Sequence, residues 1–129
     1  MQYGFSKSIK IPFDEAITKV TDELKKEGFG VLTTIDVKDT LKKKLDVDFK
    51  RYTILGACNP TFAHKGLSIE NDLGLLLPCN VVVSTDDNGT DTRVSVFDPM
   101  IMTKVIDNPG IKEVAEQVKS KLEKVFDNI

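Results

Sequence analysis

Polar and apolar residues alternate from the start of the chain. Tyr3, Phe5, Ile9 and Ile11 alternate with Gly4, Ser6, Ser8 and Lys10, interrupted only by Lys7, which predicts a strand with one wet face, stopped at Pro12. From Phe13 the period lengthens. Phe13, Ala16, Ile17, Val20 and Leu24 form one helical stripe, with Asp14 and Glu15 near its start, Lys25 and Lys26 near its end, and Gly28 placed to close it. Phe29, Val31, Thr33 and Ile35 resume alternation as a second strand, and Val37, Leu41 and Leu45 predict a short helix over Asp36 to Leu45. Arg51 to Cys58 is rich in β-formers and reads as a third strand, followed at Asn59-Pro60 by an N-cap and an N1 proline that open a short helix near Phe62, Ala63 and Leu67.

Asn88-Gly89 signals a type I′ turn between two runs, Val81 to Thr85 and Thr92 to Phe97. Centring the turn there pairs Val83 with Val94, Val81 with Val96 and Ser84 with Arg93; continued one step, it sets Cys79 opposite Asp98. After Asp98-Pro99 an apolar connector, Met100-Ile101-Met102, leads to a closing helix opened by Asn108-Pro109, with Ile111, Val114, Ala115, Val118, Leu122, Val125 and Phe126 on its stripe. About five strands with two amphipathic helices predict an α+β domain. Helices pack on one face of a mainly antiparallel sheet, in the order β-α-β-β-β-β-α with short extra helices.

Composition narrows the partners. A length of 129 residues supports one domain, 1–129, and the net charge of −2 lacks the electrostatic footprint of nucleic-acid or anionic-membrane binding. No apolar run approaches the roughly 18 residues of a membrane span, and no h-region opens the chain, so the expected location is the cytoplasm. There, Cys58 and Cys79 are expected as free thiols.

Those thiols carry the candidate chemistry. Cys-Asn occurs twice, as Cys58-Asn59 at the end of one strand and Cys79-Asn80 at the start of another, so antiparallel pairing brings the thiols to one end of the sheet. Cys58 precedes a helix N-terminus, where the dipole favours thiolate. His64, the only imidazole, and Asp98 complete a candidate constellation of Cys58, Asn59, His64, Cys79, Asn80 and Asp98. Blander readings stand beside it: buried cysteines as small apolar filler, Asn59 and Asp98 as helix caps, His64 as a surface residue.

Metal binding is not favoured. Cys58, His64 and Cys79 are too few and too far apart in sequence, and no C-x-x-C, H-E-x-x-H or EF-hand pattern occurs. Gly28-Phe29-Gly30 follows a helix and reads as punctuation, not as a dinucleotide loop; Lys42-Lys43-Lys44 reads as a solvated helix face, and Met100 and Met102 as packing. No cofactor is expected.

Gly56-Ala57-Cys58-Asn59-Pro60 and Leu76-Leu77-Pro78-Cys79-Asn80-Val81 resemble the bacterial and archaeal family called domain of unknown function 302. The resemblance spans nearly the whole chain, through Gly28-Phe29, Leu41 to Leu45, Ala63-His64, Val94-Ser95-Val96 and Asn108-Pro109. It implies a curved antiparallel sheet similar to that of the TATA-binding protein, in a form that makes dimers, and it implies no reaction. The expected function is a small homodimeric binding or carrier module, with a small molecule or thiol-reactive sulfur species held at Cys58 and Cys79. The alternatives are a thiol-dependent redox enzyme, with Cys58 as nucleophile, Cys79 resolving it and His64 or Asp98 handling protons, and a purely structural dimer. Leu73 to Leu77 with Met100-Ile101-Met102 is the expected dimer surface, with a lid on the chain's own core as the competing reading.

Overall fold

The computed structural model describes residues 1–129. In chain order the elements are β1 (Gly4–Ile9), α1 (Phe13–Lys26), β2 (Gly30–Asp36), α2 (Val37–Leu45), β3 (Tyr52–Cys58), α3 (Pro60–Ile69), a 3₁₀ helix (Asn71–Leu76), β4 (Cys79–Thr85), β5 (Thr92–Phe97), a 3₁₀ turn (Pro99–Ile101), α4 (Met102–Val105) and α5 (Pro109–Asp127). The strands form one five-stranded sheet, ordered β1-β5-β4-β3-β2, with every neighbouring pair antiparallel. This is the expected α+β architecture.

The apolar stripes explain the layering. Ala16, Val20 and Leu24 of α1 and Ile111, Val118, Leu122 and Val125 of α5 are buried in one cluster with Leu55, Val81, Val83, Val94 and Val96 of the sheet. The opposite sheet face stays more open, with Asn80 exposed and Ile54 and Val82 half-buried. Lys7, the break in the first strand's alternation, has a structural cause. Its register opposite Val94 puts it on the helix side, where its ammonium donates to the Phe126 carbonyl near the end of α5 and lies 4.6 Å from the Phe126 ring centre. No helix is long and apolar enough to cross a membrane.

Gly28 closes α1 as its spacing predicts. With φ at +86°, it allows its own N–H to reach the Lys25 carbonyl and the Phe29 N–H to reach the Leu24 carbonyl, the paired bonds of a Schellman motif that turns the chain into β2. Asp36 caps α2 by accepting from the Asp39 N–H at 2.9 Å, but α2 buries none of its residues and Leu45 is exposed. Its lysines pair with carboxylates, Lys42 with Asp46 and Asp48, and Lys43 with Asp39, as a solvated face does.

The β4–β5 register is the expected one: Val83 faces Val94, Val81 faces Val96 and Ser84 faces Arg93. The turn is not type I′. Pairing ends at Thr85 opposite Thr92, and only Gly89 of the Asn88-Gly89 pair has positive φ. The Asp86 carbonyl accepts from the Gly89 N–H, while the Asn88 side-chain oxygen accepts from the N–H groups of Thr90 and Asp91. The Asp86 N–H still donates to the Asp91 carbonyl at 2.8 Å, so the loop closes over Asp87 to Thr90, where the bonding of the Asn88 side chain takes the place of a two-residue turn. The Met100 to Met102 connector is also helical, divided between the 3₁₀ turn and α4.

Candidate functional site

Cys58 and Cys79 meet at one end of the sheet. Ala57 pairs with Cys79, and Cys58 is the next residue along β3, so the two cysteine Cα atoms lie within about 9 Å of each other, given cross-strand pairs near 5 Å and a 3.8 Å chain step. Gly56 allows close approach here. A Cβ on it would stand 2.8 Å from Cγ of Pro78, so the chain entering β4 packs directly on the β3 backbone.

Both cysteines line a cavity of about 40 Å³ between this end of the sheet and the helices. Its wall comprises Phe29, Ala57, Cys58, Asn59, Phe62, Ala63, Leu73, Leu77, Pro78, Cys79, Met102, Ile111, Val114, Ala115 and Val118. By the measure in which one water needs about 10–15 Å³, this space takes a few small atoms and no nucleotide or flavin. Apart from the thiols no ionisable side chain borders it, so the surroundings oppose charge. The Cys79 thiol, 5% exposed, is pushed up to about 12 from an ordinary 9.0, first by burial and then by the neighbouring Cys58 thiolate's charge. Cys58 is half-buried, and both are free thiols.

Asn59 belongs to this site in an unexpected role. It occupies the N-cap position of α3, but its side chain makes no cap bond; its amide donates instead to the Glu27 carbonyl at 3.2 Å. The buried Asn59 thereby fastens the C-terminal end of α1 to the start of α3 and satisfies a carbonyl that the helix end leaves open.

The structure leaves the other three candidates elsewhere. His64 is exposed on α3, beside Lys65, Ser68 and Gln117 along a separate shallow groove, because a helical step from Asn59 carries it round to the outer side. Asn80 is exposed on the open sheet face, since the period of two that turns Cys79 inward turns its neighbour outward. Asp98 does not continue the ladder toward Cys79: its N–H donates to the Tyr3 carbonyl, its carboxylate accepts from the Met100 N–H at 2.9 Å, and Lys119 pairs with it at 3.0 Å. It is the cap of the 3₁₀ turn and an anchor for α5. The four-residue Cys58, His64, Cys79, Asp98 constellation is therefore not assembled, and no group of three His, Cys, Asp or Glu side chains is placed to hold a metal ion.

What the sequence left unconnected is Met102. It is 6% exposed, opens α4 and lines the same cavity as the cysteines. Its distance from them in the chain hid this. Its only sequence signal was that Met102 falls between an N-cap candidate and the closing helix.

Fold and site together define a small α+β protein with helices on one face of an antiparallel sheet and an apolar, thiol-bordered cavity at one sheet end. The family described as "Domain of unknown function DUF302" matches residues 5–129, and the chain belongs to that family. It is similar to a solved structure described as an uncharacterized conserved DUF302 protein from Bacillus stearothermophilus, with 29% sequence identity and a TM-score of 0.90 over 99% of this chain and 98% of that one. No curated protein matches the chain.

Proposed function

We propose that the protein is a small homodimeric binding or carrier module that holds a small molecule or thiol-reactive sulfur species in the cavity bordered by Cys58 and Cys79. The observation that carries this reading is the cavity itself: an apolar space of about 40 Å³ with a half-buried thiol at its border and a second, buried thiol beside it. Its size favours a compact occupant. The paired free thiols suit a reducing compartment such as the cytoplasm.

The reading favours Cys58 as the group that meets the ligand. Raising a thiol's pKa by three units removes about a thousandfold of its thiolate at neutral pH, and the greater nucleophilicity of the rarer thiolate recovers less than half of that on a logarithmic scale. Cys79 is thus expected to react about fortyfold more slowly than an ordinary thiol. Brief exposure of the folded protein to methyl methanethiosulfonate, read by mass spectrometry, is expected to place one methylthio group on Cys58 and none on Cys79. Equal, slow modification of both would return the cysteines to simple packing and remove the carrier reading.

The dimer is part of the same proposal. Leu73 and Met102 of the expected interface are 2% and 6% exposed and act as a lid on this chain's own core, while Leu75 of the same segment is 86% exposed. A second unpartnered apolar group lies on the edge strand β2, where Leu32 is 69% exposed and Ile35, 46% exposed, pairs with the half-buried Ile54, and this group is the proposed interface. Light scattering at micromolar concentration is expected to give twice 14.3 kDa, and Ile35→Lys to shift the mass toward the monomer. A wild-type monomer overturns the dimer; a dimeric Ile35→Lys variant overturns this surface.

A further inference from the structure

The β4–β5 loop, at the opposite end of β4 from Cys79, carries the only asparagine of the chain that is followed by glycine. Asn88 and Gly89 are both exposed, and nothing stands within 4 Å of the place a Gly89 Cβ would occupy, so water and hydroxide reach the pair freely. Without a side chain at 89, the Gly89 nitrogen is also open to the Asn88 carboxamide carbon, and their closeness along the chain makes a reaction between them intramolecular. Four hydrogen bonds occupy the atoms that would react. The Gly89 N–H donates to the Asp86 carbonyl at 2.9 Å, Oδ1 of Asn88 accepts from the N–H groups of Thr90 and Asp91 at 2.9 Å each, and Nδ2 of Asn88 donates to Oδ2 of Asp91 at 2.9 Å.

We infer that Asn88 is a site of spontaneous deamidation whose rate is set by opening of this loop: the closed hairpin guards the side chain and each opening exposes it. Cyclisation needs the Gly89 nitrogen to lose its proton and the Asn88 carboxamide to turn onto it. A nitrogen whose N–H is engaged gives up its proton less readily, and a carboxamide bonded through both its oxygen and its nitrogen does not turn until those bonds break. Every partner lies between Asp86 and Asp91, so one local opening releases all four bonds together. An exposed loop held by local bonds opens at far lower cost than the sheet beside it.

Water is the only reagent consumed. A solvent base takes the Gly89 amide proton, the bond from the Gly89 nitrogen to Cγ of Asn88 forms, the Cγ–Nδ2 bond breaks, and the nitrogen leaves as ammonia with a proton returned from solvent. Water then opens the imide ring at either carbonyl, giving aspartate or isoaspartate; no electron is transferred. The product does not restore the loop. The donor to Asp91 is gone and a carboxylate faces Asp91 in its place, while in isoaspartate the carbonyl that held Thr90 and Asp91 has become main chain. The reaction thereby makes a reversible opening permanent.

The test incubates the full chain in mildly alkaline buffer, folded and in denaturing urea, and follows the peptide containing Asn88 by mass spectrometry, with chromatography separating aspartate from isoaspartate. In urea Asn88 is expected to deamidate about tenfold or more faster than in the folded protein, because several hydrogen bonds, each a few-fold in the opening equilibrium, no longer hold it. Asp91→Ala removes the partner of Nδ2. Folded, this variant is expected to deamidate about threefold or more faster than wild type, while in urea the two proteins react alike. Folded wild type that reacts as fast as in urea overturns the guard, and so does a folded Asp91→Ala that reacts no faster than wild type. An Asn88 that stays intact in urea overturns the site itself.

Discussion

Raising the pH from 9 toward 12 is expected to destabilise the wild-type protein far more steeply than Cys79→Ala. The unfolded Cys79 thiol titrates near its ordinary 9.0, whereas burial holds the folded thiol near 12. Below pH 9 both states keep the proton and the stabilisation is fully present. Above it the unfolded chain releases the proton while the folded one retains it, so unfolding gains about 1.4 kcal/mol per pH unit, to a total of about 4 kcal/mol near pH 12. Tyrosines and lysines titrate in both proteins and cancel in the difference. Urea unfolding at several pH values measures it, and parallel pH profiles for the two proteins would mean that Cys79 is not held in the low-polarity setting on which the site depends.

Leu122→Ala is expected to have a comparable effect by another route. Leu122 is fully buried on α5, in the cluster where that helix meets α1 and the central strands. Truncation removes apolar burial and leaves a void, together costing about 2–5 kcal/mol. For a chain of this length that lowers the thermal midpoint by about 10 °C. Calorimetry reads it directly. A drop of only a degree or two would show that α5 does not hold the sheet face on which the cavity wall, from Ile111 to Val118, depends.

The fold was largely legible because its elements obey single periods. The alternation of Val81, Val83, Val94 and Val96 set a register that any one-residue slip would have turned inside out, and the stripes of α1 and α5 named their own buried faces. The turn differs for a local reason: Asn88-Gly89 favours type I′ in isolation, but here the Asn88 side chain bonds Thr90 and Asp91 and holds a wider loop. Half of the candidate site was legible for the same reason as the register. Antiparallel neighbours bring the end of β3 to the start of β4, and Cys58 to Cys79 with it.

The rest of the site depends on which way a side chain turns at an element's end. Asn59 looks like a cap, but it reaches instead across a tertiary gap to Glu27, which no local rule reveals. Asp98 looks equally like a cap and is one, because the Met100 N–H stands within reach of its carboxylate. His64 attracts attention as the only imidazole, but its position on α3 carries it away from the thiols. Met102 came to the cavity through a segment that reads as a connector and folds as a helix.

The existence of an open apolar space between the thiols and the helices is the claim from which the others follow, and xenon tests it most directly. A crystal of the reduced protein held under xenon pressure is expected to show one xenon atom among Phe62, Cys79, Met102 and Val118, since dry apolar cavities take up this gas. A crystal in which those side chains close on one another and leave no xenon between them would contradict the account.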